Sequence, residues 1–149
     1  MAIRSLLERK RDTLEKLQTL KDVWVASASG DGRAHLVPFS LDWDGEHIIV
    51  ATETTSRTAQ NIRTSLQARL AIGDTRDVVI IDVHAAEALA SEAAKNLGDH
   101  FLERTAWDPR EQPTDWVYFV MTLKTVQAWK SEAELDGRTI MRQGEWLNG

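Results

Sequence analysis

The chain has 149 residues, the size of one ordinary domain and enough to bury a core. Acids outnumber bases 23 to 18, and the net charge of −5 argues against a nucleic-acid partner, because such binders carry a basic excess. The absence of cysteine removes disulfides, thiolate metal sites and a thiol nucleophile together.

No apolar signal core follows Met1-Ala2-Ile3-Arg4-Ser5, and no run approaches membrane-spanning length. The protein is expected to be cytoplasmic, without a membrane partner. Ile3, Leu6, Leu7, Leu14, Leu17 and Leu20 are spaced for one face of a packing helix, with Arg and Glu opposite. Three apolar runs follow, separated by turn residues, and read as strands joined by hairpins. They are Val23-Trp24-Val25-Ala26-Ser27, then Ala34-His35-Leu36-Val37-Pro38-Phe39-Ser40-Leu41, then His47-Ile48-Ile49-Val50-Ala51-Thr52. The second hairpin is expected to set His47 opposite Leu41. Pro38 cannot donate to a ladder, so its strand belongs at an edge or beside a bulge. That strand is apolar on both faces, which fits a flat ring lying against it, or a covering helix.

A helix is expected from Ser56 through Arg63. Gln67-Ala68-Arg69-Leu70-Ala71-Ile72-Gly73 reads as the fourth strand. Val78-Val79-Ile80-Ile81-Asp82-Val83-His84-Ala85-Ala86 reads as the fifth, its unbroken apolar start predicting burial on both faces. Residues 91–104 read as a helix capped by Ser91, with Ala93, Ala94, Leu97, Phe101 and Leu102 inside. The segment 105–113, containing Trp107, Pro109 and Pro113, reads as a loop. A long last strand spans residues 116–129. A helical turn near 131–135 and a small hairpin within 137–147 close the chain. Six strands with peripheral helices predict a mainly β (α+β) domain, a six-stranded antiparallel barrel filling residues 1–149.

The chemistry is narrowed by what is missing. The histidines at positions 35, 47, 84 and 100 have no metal-ligand spacing, so no metal is expected. There is no Gly-x-Ser-x-Gly elbow, and no Gly-x-Gly-x-x-Gly follows a strand. The helix start Ser56-Arg57-Thr58 offers a hydroxyl, free backbone N–H groups and a fixed cation together, a combination that suits a phosphate. The plain alternative is a serine that caps its helix beside solvated arginines.

The order Gly-Asp-Gly-Arg-x-His-Leu-Val-Pro-Phe, Trp-Asp-Gly-Glu-x-Ile-x-Val-Ala-Thr, Ser-Arg-Thr-Ala-Gln-Asn-Ile-Arg and Arg-Leu-Ala-Ile-Gly-Asp resembles a known family. These are the split-barrel flavin and deazaflavin oxidoreductases related to pyridoxamine 5′-phosphate oxidase. The segments Trp107-Asp108-Pro109-Arg110-Glu111, Val126-Gln127-Ala128-Trp129 and Gly-Glu-Trp-Leu resemble a small actinobacterial branch of it. The resemblance implies a six-stranded split barrel, a homodimer, and two cofactor clefts at the dimer interface. It implies a phosphate site at Thr52, Ser56, Arg57, Thr58 and Asn61, and a ring platform at His35, Val37, Pro38 and Phe39. Trp129 and the Trp107 loop are candidates for closing the cleft, either from the same chain or from the partner chain. The implied activity is hydride transfer between the deazaflavin coenzyme F420 and a small conjugated or unsaturated substrate. FMN is the alternative cofactor, and a non-catalytic flavin, haem or tetrapyrrole carrier the alternative role. No residue stands out as a general acid; solvent or His35 are the sources left for a proton. Arg57 stands where a lysine is frequent, and the chain lacks the C-terminal Arg/His motif of the oxidase that makes pyridoxal phosphate. That substrate is therefore not expected.

Overall fold

The computed structural model describes residues 2–148. In chain order it contains α1 (Leu6–Thr19), β1 (Asp22–Ala28), β2 (Ala34–Ser40), β3 (Asp42–Trp43) and β4 (His47–Glu53). Then come α2 (Arg57–Ser65), β5 (Gln67–Ile72), β6 (Val78–Leu89), α3 (Lys95–Thr105), β7 (Trp116–Trp129), β8 (Thr139–Arg142) and β9 (Glu145–Trp146). Single 3-10 turns lie at Pro109–Glu111 and Glu132–Glu134.

The strands form one antiparallel sheet in the order β2-β1-β5-β6-β7-β4-β3, with β8 added to β7 and β9 to β8. Alternation along each strand curls this sheet around a single interior. Val23 and Val25 face inward from β1, Leu70 and Ile72 from β5, Val79 and Ile81 from β6, and Phe119 and Met121 from β7. β4 returns beside β2, yet β2 ladders only with β1. The barrel is therefore split along the β2–β4 seam. α2 plugs the interior through Ala59 and Ile62, both fully buried. α3 covers the other face of β4 and β7, where Phe101 meets Tyr118 edge-on at 5.4 Å.

The order of the long strands follows the expectation, and β7 occupies the expected residues. Several details differ. The second strand breaks at Leu41, because Leu41 is buried in the core and Asp42 turns into a separate pairing with β4. In that register Asp42 faces Ile49 and Trp43 faces Ile48, so the hairpin sets His47 against Asp44 rather than Leu41. The Asp44 carboxylate accepts from the backbone N–H groups of Glu46 and His47 and lies 3.1 Å from the His47 ring. The buried Asp42 carboxylate is held by His100 Nδ1 of α3 at 2.9 Å.

Ser91 is not a helix cap. β6 runs three residues past Ala86 to Leu89, and the Leu89 carbonyl then accepts from Glu92 and Ala93 N–H in a turn. α3 begins only at Lys95, and Leu102 is exposed rather than inside. β6 is also not buried on both faces: Val79, Ile81 and Val83 point in, while Val78 and Ile80 lie half-buried on the outside. On α1, Leu17 is fully buried, but Leu7 is exposed, and Ile3 lies before the helix and is exposed too; Arg9 and Thr13 take the inner face instead.

Candidate functional site

The seam between β2 and β4 opens into a cleft of about 270 Å³. Its walls are Pro38, Phe39, Thr52, Phe101, Trp107 and Trp116, with Ser40 and Ala51 between them. Pro38 and Phe39 come from the edge strand. A proline fits there because no ladder bond is demanded of its nitrogen. The opposite wall is aromatic: Trp107 and Trp116 pack with ring centroids 4.5 Å apart at a 60° tilt.

Three links hold this wall in place. Thr54 N–H donates to the Asp115 carbonyl at 3.0 Å, which fixes the start of β7 beside the end of β4. Arg110 grips the Asp108 carboxylate through Nε at 2.8 Å and Nη2 at 3.0 Å, and reaches Asp99 of α3 through Nη1 at 3.0 Å. That guanidinium lies directly over Gly98, where an added Cβ would approach it to 2.7 Å. The loop bearing Trp107 is thus stapled to α3. Arg110 also holds the Asp108 carboxyl below the usual carboxylate range.

Beside the cleft, α2 begins. Ser56 is extended at φ −63° and ψ 156°, and its Oγ accepts from Ala59 N–H at 3.0 Å, the ordinary N-cap geometry. Thr52 Oγ1 donates to the same Oγ at 2.8 Å. A hydroxyl has one donor and two acceptor positions. Both acceptor positions of Ser56 are thereby used, which leaves its own hydrogen free to donate to a further acceptor. The N–H groups of Arg57 and Thr58 receive no acceptor among the described residues. The first turn of α2 has no acidic residue. The positive end of the helix is therefore uncompensated.

Arg57 is exposed and enters no ion pair among the described residues. Its charge reaches Asp31 in the β1–β2 turn. The Asp31 carboxyl is lowered mainly by the Ser29 hydroxyl, with Arg57 a smaller contributor. The other end of α2 is tied down: Arg63 pairs with Glu87 of β6 through Nε at 2.9 Å and Nη2 at 2.7 Å, which lowers the Glu87 carboxyl.

The residues anticipated from sequence separate into four groups. Pro38, Phe39 and Thr52 line the cleft; Ser56 is joined to it through its hydrogen bond with Thr52, and exposed Arg57 follows Ser56 in the chain without lining it. Thr58 and Asn61 lie inward: Thr58 is buried, and Asn61 Nδ2 donates to Ser27 Oγ of β1 at 3.1 Å. Asn61 therefore anchors α2 so that its first turn meets the seam. His35 and Val37 are half-buried on β2, opposite Ser27 and Val25. Trp129 lies elsewhere. It ends β7, opposite Val78, while Trp116 at the start of β7 meets Glu53. A strand of 14 residues separates them by roughly 40 Å of ladder. Within one chain Trp129 cannot close this cleft. Phe101 and Trp116 were missed as wall residues because the sequence pattern reads both as ordinary core positions.

The cradle fits an anion and the cleft fits an apolar ring. Free backbone donors, a hydroxyl free to donate and an unpaired guanidinium are the donor set of a phosphate group. Aromatic walls beside that set suit a flat heterocycle attached to it. Among the described residues no cluster of His, Asp and Glu could hold a metal ion. No helix there is long and apolar enough to cross a membrane.

No family profile and no curated protein matches this chain by sequence. Solved structures do match by shape. A protein named F420 reductase superposes with a TM-score of 0.60 at 15% identity, over 75% of this chain and 93% of that one. A candidate pyridoxamine 5′-phosphate oxidase from Listeria innocua gives 0.64 at 14%, over 82% and 98%. HutZ, a heme storage protein from Vibrio cholerae, gives 0.62 at 13%, over 80% and 94%. The fold is the split barrel. Its structural neighbours are of the pyridoxamine 5′-phosphate oxidase type, and at these identities the likeness speaks for the fold alone.

Proposed function

We propose that the protein is an oxidoreductase that binds a phosphate-bearing flavin-type cofactor, foremost the deazaflavin F420, in the β2–β4 cleft. The observation that carries this reading is the junction at Thr52. One side chain lines the aromatic cleft and orients the serine of the anion cradle. A ligand with a flat ring joined to a phosphate spans both features. The cofactor supplies hydride chemistry when bound.

The chain's own residues bind and shield. Thr52 turns Ser56 Oγ so that its hydrogen faces the phosphate. The N–H groups of Arg57 and Thr58 and the Arg57 guanidinium add charge-assisted contacts. Pro38 and Phe39 support one side of the ring, and the Trp107–Trp116 pair excludes water from the other. FMN presents the same phosphate to the same donors and is the alternative ligand.

We propose further that the cleft is completed in a homodimer. The outer face of the sheet carries Trp24, Leu36 and Pro38 in register, with Trp24 49% and Leu36 60% exposed. Ala71, next to Trp24, continues this face across β5 towards half-buried Ile80. A second copy seated there would bury these side chains. Equilibrium sedimentation at micromolar concentration should give twice the chain mass, and a monomer there would refute the two-subunit cleft.

The functional reading is tested by native mass spectrometry after incubation with F420 and with FMN, followed by mixing the bound, reduced cofactor with small conjugated acceptors. Retention of one cofactor and its oxidation by an acceptor are expected. Retention without turnover by any acceptor favours a carrier, and no retention of either cofactor sinks the reading.

A further inference from the structure

A second cleft, of about 740 Å³, lies at the opposite end of β7 from the first. Its lining includes Arg9 of α1, Gln127 of β7, Arg138 and Arg142 of the C-terminal segment, Thr139, and one acid, Asp136. Arg9 is the unusual member. Only 5% of it is exposed, yet no carboxylate pairs with it among the described residues. Its Nη1 donates to the carbonyls of Ala128 at 3.3 Å and Gly137 at 3.1 Å, and its Nε is buried with no partner. A buried cation is ordinarily paired with a counter-charge, because leaving it alone in a low-dielectric setting is costly.

The neighbouring cations are not neutralised either. Arg142 is exposed and makes no ion pair among the described residues, although Glu145 stands opposite it in the β8–β9 hairpin. Arg138 donates to the Leu135 carbonyl at 2.9 Å and lies 5.7 Å over the Trp129 ring. Three guanidinium groups and one carboxylate therefore share one open cleft in a chain whose net charge is −5. Such a local reversal of sign concentrates anions.

We propose that this cleft binds a small polyanion, a molecule bearing clustered phosphate or carboxylate oxygens, with Arg9 as the buried inner donor and Arg138 and Arg142 as the exposed outer ones. Planar guanidinium groups suit both oxyanions, through two parallel hydrogen bonds. Leu6 and Leu147 border the cleft and leave room for an apolar part of the same ligand. The site is separate from the cradle at Arg57 and does not depend on the cofactor reading.

The test is calorimetric titration of the cofactor-free protein with pyrophosphate and, in a second arm, with citrate, at matched ionic strength. Binding of at least one probe is expected, with the stronger arm naming phosphate or carboxylate as the recognised oxygen. Arg142→Glu should weaken that binding by tenfold or more; it lies on an exposed hairpin, so the fold should persist. Arg142→Lys should recover part of the loss, and Arg57→Ala, which disables the separate cradle at α2, should leave the Arg142-dependent part of the titration in place. No binding of either probe, equal binding by Arg142→Glu, or loss in Arg57→Ala instead would each overturn the proposal.

Discussion

Two helix starts in this molecule look alike in sequence and serve opposite ends. α1 and α2 each follow a serine cap: Ser5 Oγ accepts from Glu8 N–H at 3.1 Å and Ser56 Oγ from Ala59 N–H at 3.0 Å. Each has an arginine next to the serine. Arg4 is consumed. Its Nη2 and Nε reach the two oxygens of buried Glu134 at 2.7 and 3.0 Å, and its Nη1 reaches Asp12 at 3.0 Å. Asp77 stands 3.5 Å away. Glu8 also lies in the first turn of α1 and offsets the helix dipole. Arg57 has none of these partners, and the first turn of α2 has no acid. The same cap and cation close a structure in one place and leave a donor set open in the other. What separates them is not the local sequence but which carboxylates the fold brings near.

The largest effect is expected where the charges are spent. Arg4→Ala leaves Glu134, 1% exposed, without its main partner. Removing one member of a buried pair costs roughly 3 kcal/mol, or about 6–12 °C in melting temperature for a domain of this size. Arg4 and the backbone N–H of Lys130 hold the Glu134 carboxyl at about 2, below its ordinary value of 4.5. A depressed folded-state pKa gives stability that is present above about pH 4.5 and lost as pH falls towards about 2. Denaturation curves from pH 6 down to pH 2 should therefore show wild type converging on Arg4→Ala. Parallel curves across that range would mean that the knot contributes nothing through Glu134.

Next in size is the open cradle. Arg57→Ala removes a charge-assisted contact to a bound phosphate, worth roughly 1.5–3 kcal/mol, or about 10- to 150-fold in cofactor affinity. The melting temperature of the cofactor-free protein should not change, since Arg57 is exposed and unpaired. Raised salt should weaken wild-type binding more than variant binding, because the missing contribution is electrostatic. Fluorescence titration at two ionic strengths reads both effects. Equal affinity in both proteins would return Ser56 to a plain helix cap.

The contrast also marks how far sequence reading reaches. β7 was legible because alternation over residues 116–129 is a local property of the chain. The start of α2 was legible because Ser56, free N–H groups and Arg57 are neighbours in sequence. The break at Leu41 was not, since nothing nearby announces it. It depends on Leu41 entering the core and on Asp42 meeting His100, 58 residues away. The helix start at Lys95 was hidden for a similar reason. The extra length of β6 follows from its pairing with β7, where Leu89 meets Val117, and Ser91 is left in the turn beyond. The aromatic wall was half legible: Trp107 stands out in a loop, whereas Phe101 and Trp116 are marked only by where α3 and β7 come to rest.

The smallest expected effect compares the caps themselves. Ser5→Ala and Ser56→Ala each remove one N-cap hydrogen bond, roughly 1 kcal/mol or about 2–4 °C. Only Ser56→Ala should also lower cofactor affinity. It should cost more stability than Ser5→Ala, because it orphans a second group: Thr52 Oγ1 is buried and its described donation goes to Ser56 Oγ. An unsatisfied buried hydroxyl is worse than no hydroxyl. Adding Thr52→Val to Ser56→Ala should therefore recover part of the loss, whereas Thr52→Val alone should destabilise. The double-mutant cycle by thermal melts isolates this coupling, expected at the order of 0.5–1 kcal/mol. Additive losses would mean that Thr52 finds another partner and does not set the direction in which Ser56 donates. The junction between cleft and cradle would then rest on Arg57 and the backbone alone.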